Sequence, residues 1–166
     1  MSTSPALMNT SETTGATAAR IGLALVRLTI GALLVSVFFE NLGKGLYTPS
    51  GYAGLIRSYV EHGTAPAVWK SVMAFVANHA SIAAPLQALT EISLGVLLVL
   101  GLLTRPVALI ACGYLASLWI SEWGIGWIWE LLVPVMASLA LCIGGAGRTL
   151  GVDSFLARKW PSSLLW

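Results

Sequence analysis

Apolar positions in this chain gather into four long runs, approximately residues 21–42, 81–103, 106–123 and 127–147. Each approaches the ~20 mainly apolar residues that carry a helix across hydrocarbon at 1.5 Å per residue. The alternation of barrel strands is absent, and backbone in lipid must satisfy its own hydrogen bonds, so the pattern predicts helices. Leu103-Thr104-Arg105-Pro106 joins the second and third runs, and Gly124-Ile125-Gly126 the third and fourth. Such tight turns make antiparallel neighbours, with Pro106 tolerated in a first helical turn. The predicted fold class is all-α: a four-helix transmembrane bundle with a long extracytoplasmic loop that carries short amphipathic helices.

That loop covers about residues 43–80. In it Tyr52, Leu55, Ile56, Tyr59 and Val60 recur at i, i+3, i+4, i+7 and i+8, with Arg57 and Ser58 off the face. After Pro66 the pattern returns at Val68, Val72, Phe75 and Val76. Both segments predict helices lying on the outer surface or capping the bundle; a plain lid would need no chemistry. Residues 1–19 are rich in Ser, Thr and Ala without a basic residue. That composition predicts a flexible tail and not a signal peptide, so the first run is retained as a membrane helix. Residues 20–156 form one membrane domain and 157–166 an interfacial tail.

Basic residues set an orientation. Arg20, Arg105, Arg148, Arg158 and Lys159 share a side with both termini, against Lys44, Arg57 and Lys70 on the other. This excess predicts cytoplasmic termini in a multi-pass protein of the inner (plasma) membrane. Charged residues are only 10 % of the chain, where a soluble domain carries roughly 25 %. A net charge of +2 on scattered basic residues excludes a nucleic-acid partner. Cys112 and Cys142 lie in different helices with no CxxC, which excludes a disulfide framework and a dithiol motif. Ala108, Cys112 and Ala116 make a small-residue row that favours close helix approach. His62 and His79 both fall in the loop, so no intramembrane histidine pair can clamp a haem, and two cysteines cannot hold an iron–sulfur cluster. No metal-ligand set and no nucleotide fingerprint is present. Electrons, if handled, would pass through a bound small molecule or a partner subunit.

The charges inside the apolar runs are the candidate chemistry, because an ionised group in hydrocarbon costs a few kcal/mol or more unless paired. Antiparallel folding puts Arg27 about 10 Å and Glu91 about 18 Å from the cytoplasmic edge. Their pairing is the expected arrangement, either as a pin between helices or as a polar, proton-accepting site. Glu40, Lys44, Glu122 and Glu130 fall at the outer helix ends, with Glu40 and Lys44 spaced i, i+4. They form either a solvated rim or the mouth of a site. Trp119, Trp123, Trp127 and Trp129 share that level as an interfacial belt whose rings can also flank a flat ligand. At the other end Gly144-Gly145-Ala146-Gly147-Arg148 terminates the last helix, with Asp153 placed to answer Arg148.

Together these residues resemble the DoxX/DoxD family of small four-helix membrane proteins, over about residues 20–156. The likeness rests on Arg27 and Gly31, Gly43-Lys44, and Glu91-Ile92-Ser93-Leu94-Gly95. It continues through Gly101-Leu102-Leu103-Thr104-Arg105-Pro106-Val107-Ala108 to Gly145-Ala146-Gly147-Arg148 and Asp153. DoxD-type members are subunits of a thiosulfate:quinone oxidoreductase. The resemblance therefore implies a quinone near Arg27 and Glu91, as the catalytic pair. It implies a sulfur anion at an outer mouth formed by Lys44, Glu40, Glu122 and Glu130. Arg105, Arg148 and Asp153 would serve as structural or partner contacts. The alternative is an accessory or structural subunit of a larger membrane complex, with a partner subunit or a second copy docked on it. A transporter fits less well, since short turns leave little room for a pore.

Overall fold

A computed structural model describes residues 5–163 and Leu165. Among these residues there are seven α-helices and no strand. They are α1 (Pro5–Gly43), α2 (Pro49–His62), α3 (Ala67–Asn78), α4 (Ala80–Leu100), α5 (Thr104–Ser121), α6 (Ile128–Gly144) and α7 (Asp153–Lys159), with a 3-10 turn at Ala146–Arg148. α1 packs on α4 and α6, and α5 packs on the same two, closing a ring of four helices. α2 and α3 pair with each other and lie across one end of this ring against α4 and α5, the loop end. The 3-10 turn and α7 close the other, C-terminal end.

The ring has an apolar core that also holds a few buried polar side chains, and its outside is apolar as well. Arg27, Glu91, Thr104, Ser138 and Asp153 are each no more than 1 % exposed. Leu25, Leu86, Leu89, Leu109, Val133 and Ile143 point outward. Gly15–Gly43 and Ala80–Leu100 are long and apolar enough to cross a membrane, yet only 28 % of the most apolar window of each is buried. A protein solvated by water buries such side chains and leaves charges outside. The medium that suits this belt is hydrocarbon.

Helix ends follow local chemistry. Thr48 caps α2, accepting from Gly51 N at 3.2 Å, and Pro49 occupies the first turn. α4 stops at Leu100, earlier than the apolar run, because Gly101 turns left-handed at φ +65°. Residues 5–19 differ from the expected tail: they continue α1 as helix, since nothing between Ala6 and Ala19 stops propagation once the long helix is formed. Residues 1–4 of that segment lie outside the described residues, as do residues 164 and 166 of the C-terminal one. The two loop helices form where the periodicity puts them. In α2 the buried face carries Tyr52 and Ile56, as expected. In α3 it carries Met73 and Ala77, while Val68, Val72 and Phe75 of the expected face are exposed. On its inward side Trp69 donates to Ser121 Oγ at 2.9 Å.

α1 and α4 approach each other closely at Gly31 and Gly95. A Cβ on Gly31 would lie 2.8 Å from Val99 N, and one on Gly95 would lie 2.8 Å from Val35 Cγ2. Gly31→Val should force the helices apart and cost about 1–3 kcal/mol, as overpacking does. The shift is readable as a lowered unfolding midpoint in detergent; an unchanged midpoint would contradict this contact.

Candidate ligand pocket

Between the ring and its α2–α3 cover lies a pocket of about 890 Å³. Leu34, Ile56, Met73, Val76 and Leu115 supply apolar wall. Its deepest polar group is Glu91 of α4, where three donors converge. Tyr47 OH donates to Oε2, as does Asn41 Nδ2 at 3.3 Å, and Tyr114 OH donates to Oε1 at 3.2 Å. Tyr47 is held by stacking on Phe38, ring centroids 5.3 Å apart. One turn earlier on α4, Gln87 Oε1 accepts from Tyr52 OH at 2.9 Å. Tyr59 OH donates to Glu122 Oε1 at 2.8 Å. All four tyrosines of the chain thus bind a polar group on this pocket.

The electrostatics are lopsided. Glu40, Glu91, Glu122 and Glu130 line the pocket, with Lys44 as the single cation among the described residues. Lys44 Nζ already pairs with Glu40 Oε1 at 2.5 Å on an exposed helix face. Burial pushes the Glu122 carboxyl up and Glu130 adds to it, against the lowering hydrogen bond from Tyr59. Burial first, and the neighbouring carboxylates second, raise the Tyr47 and Tyr59 phenols well above the ordinary value. These hydroxyls stay protonated as donors.

Arg27 is not part of this pocket, and the expected Arg27–Glu91 pair does not form. Arg27 sits at the C-terminal end, where Nη1 donates to Ala146 O at 3.2 Å and Nη2 to Leu150 O at 2.6 Å. A longer contact reaches Thr149 O at 3.4 Å. Asp153 lies close enough to act on it electrostatically. The depth estimate failed because Arg27 extends toward its own end of the ring, where the glycine-rich segment offers carbonyls at no cost in side-chain bulk. Asp153 also takes a different role from the one expected. Its two oxygens accept from Leu103 N and Thr104 N, both at 2.8 Å. It therefore caps α5 from a distant part of the chain and holds Leu103 in its left-handed conformation, φ +50°. Arg105 packs over Gly145, and Arg148 ends the 3-10 turn beside it.

Glu91, Glu40, Lys44, Glu122 and Glu130 are thus brought together, while Arg27, Arg105, Arg148 and Asp153 form a separate structural cluster. The tyrosines, Asn41 and Gln87 were missed as site residues. Tyr114 carried a signal: a phenol inside an apolar run normally finds a hydrogen-bond partner. A family model described as DoxX matches residues 22–123, more than half of the chain. The chain belongs to the DoxX family. The DoxX match takes in every pocket residue from Leu33 to Glu122 and stops before Glu130 and Asp153. No curated protein and no solved structure matches the chain. Family and apolar belt together make this a membrane protein.

Proposed function

We propose that this DoxX-family chain binds a membrane quinone in the 890 Å³ pocket and serves as the membrane subunit of a quinone-linked oxidoreductase. The observation that carries the reading is Glu91, a buried carboxylate bound by Tyr47, Tyr114 and Asn41 at the head of an apolar-walled pocket. A quinone ring suits those walls, and one ring oxygen at Glu91 would have a proton donor or acceptor beside it. Reduction to quinol consumes two electrons and two protons; Glu91 would take one proton from water at the mouth and pass it to a ring oxygen, and the second proton would come from that water. In this reading α1, α4, α5 and α6 all cross the bilayer, with both termini cytoplasmic and the pocket facing outward. α5 and α6 are about 27 and 26 Å long at 1.5 Å per residue, close to the ~30 Å of hydrocarbon.

The resemblance to DoxD-type proteins makes thiosulfate the electron source. Two thiosulfates joined as tetrathionate release the two electrons that one quinone takes up. Four carboxylates against one paired lysine disfavour an anion inside this pocket. The sulfur anion would then react on a partner subunit. The exposed apolar face of α3, at Val68, Val72 and Phe75, favours a second reading as an accessory subunit.

Purified chain titrated with a short-chain quinone should bind it saturably, and Tyr114→Phe should weaken binding about five- to tenfold, the worth of one hydrogen bond. Folded protein that binds no quinone would leave the accessory reading.

A further inference from the structure

A second, smaller cavity of about 90 Å³ adjoins the pocket at the loop end. Trp119, Trp123 and Trp127 wall it, with Glu122, Gly126, Ile128 and Leu131 completing the lining. Trp119 and Trp123 stack in parallel, 5.8 Å between centroids at 14°. Glu122 faces both spaces. Its Oε1 accepts from Tyr59, and its Oε2 turns to Gly126, where an added Cβ would lie 3.1 Å from it and 3.6 Å from Glu130 Oε2. Two carboxylates therefore converge beside three indole rings, and the nearest pocket cation, Lys44, is engaged by Glu40.

Tryptophans at a membrane interface ordinarily anchor a helix by facing headgroups. These three also enclose a space with a negative wall, and that combination has a chemical preference. Indole faces attract a cation, most strongly one whose charge is spread over methyl groups and is cheap to desolvate. At ~30 Å³ for a water-sized group, the cavity holds roughly three non-hydrogen atoms. Three methyls of an alkylated ammonium fill that space, with the remainder of the group at its open side. A compact inorganic cation would gain less from the rings and lose more hydration.

We propose that Trp119, Trp123 and Trp127, with Glu122, form a binding site for a methylated or alkylated ammonium group. Such a cation also relieves the repulsion between Glu122 and Glu130, which otherwise adds to the cost of burying Glu122. The group can belong to a free small molecule or to a choline lipid headgroup.

The test is titration of the full-length protein with tetramethylammonium chloride, read by tryptophan fluorescence against sodium chloride at equal ionic strength. In phosphatidylglycerol nanodiscs we expect a saturable change with tetramethylammonium alone. Trp123→Leu and Glu122→Gln should each weaken it about tenfold. Trp127 is 74 % exposed, so Trp127→Leu tests the cage without burdening the fold and should also weaken binding. Repeating the titration in phosphatidylcholine nanodiscs separates the sources: lost binding there means that the lipid headgroup fills the site, and retained binding means that a free cation does. An equal response to sodium, or tetramethylammonium binding that survives all three substitutions, overturns the proposal.

Discussion

Arg27→Ala should produce a protein that folds poorly, whatever becomes of its chemistry. Arg27 is fully buried and its guanidinium serves the carbonyls of Ala146 and Leu150, with Thr149 at longer range. Truncation leaves those acceptors without a donor and leaves Asp153, also fully buried, without its neighbouring cation. Each buried acceptor left unpaired costs about 1–3 kcal/mol, so losing two or three is a large share of the ~5–15 kcal/mol that holds a domain together. The damage should spread, because Asp153 caps α5 and pins the left-handed Leu103. Arg27→Lys should recover only part of the loss, since one ammonium cannot match a planar fork aimed at separated carbonyls. Unfolding of detergent-purified variants measures this directly. Wild-type stability in Arg27→Ala, combined with lost quinone binding, would return Arg27 to the site.

How much of this was legible in the sequence differs between the two ends of the ring. The helices were legible because apolar runs and tight turns are local signals, although the second run was carried to residue 103 and Gly101 ends α4 at Leu100. The mouth residues were legible because depth follows from counting along a helix: Glu40, Lys44, Glu122 and Glu130 all reach one pocket. Partnerships were not. Arg27 and Glu91 had compatible depths, yet a long side chain can turn either way, and only the fold shows that the C-terminal glycines place carbonyls around the guanidinium. Val68, Val72 and Phe75 of α3 were read as the apolar face of a helix on the outer surface or capping the bundle, and that face stays exposed. Next to lipid, an outward apolar stripe carries no penalty, so periodicity alone cannot say which way the helix faces. Tyr52 and Tyr59 were read as parts of an apolar face, and the four hydroxyls became visible as a set only once α2, α5 and the turn carrying Tyr47 converged.

Glu91→Gln should have the largest effect on function with little effect on the fold. The substitution keeps the side chain's size and removes the group that can take or give a proton. Its amide oxygen can still accept from one or two of Tyr47, Tyr114 and Asn41, which now compete for it. Its amide nitrogen can donate to the Tyr47 or Tyr114 hydroxyl, whose own hydrogen then turns elsewhere. Replacing a buried charge with a neutral isostere is often neutral for stability or better, so the unfolding midpoint should stay near wild type. On the proposed quinone reading, turnover should nevertheless fall by roughly 10²–10⁴-fold, the usual worth of a positioned acid or base. The loss should lie mainly in kcat, because the apolar walls that hold the ring are untouched. Tyr47→Phe and Tyr114→Phe should give smaller losses that act on KM as well, since each removes a donor and leaves the carboxylate in place. Full turnover in Glu91→Gln, in a protein that still binds quinone, would mean that the carboxylate only holds Tyr47, Asn41 and Tyr114 together. The ring oxygens would then have to draw their protons from elsewhere in the pocket, with Glu122 and its Tyr59 partner the nearest groups of the same kind.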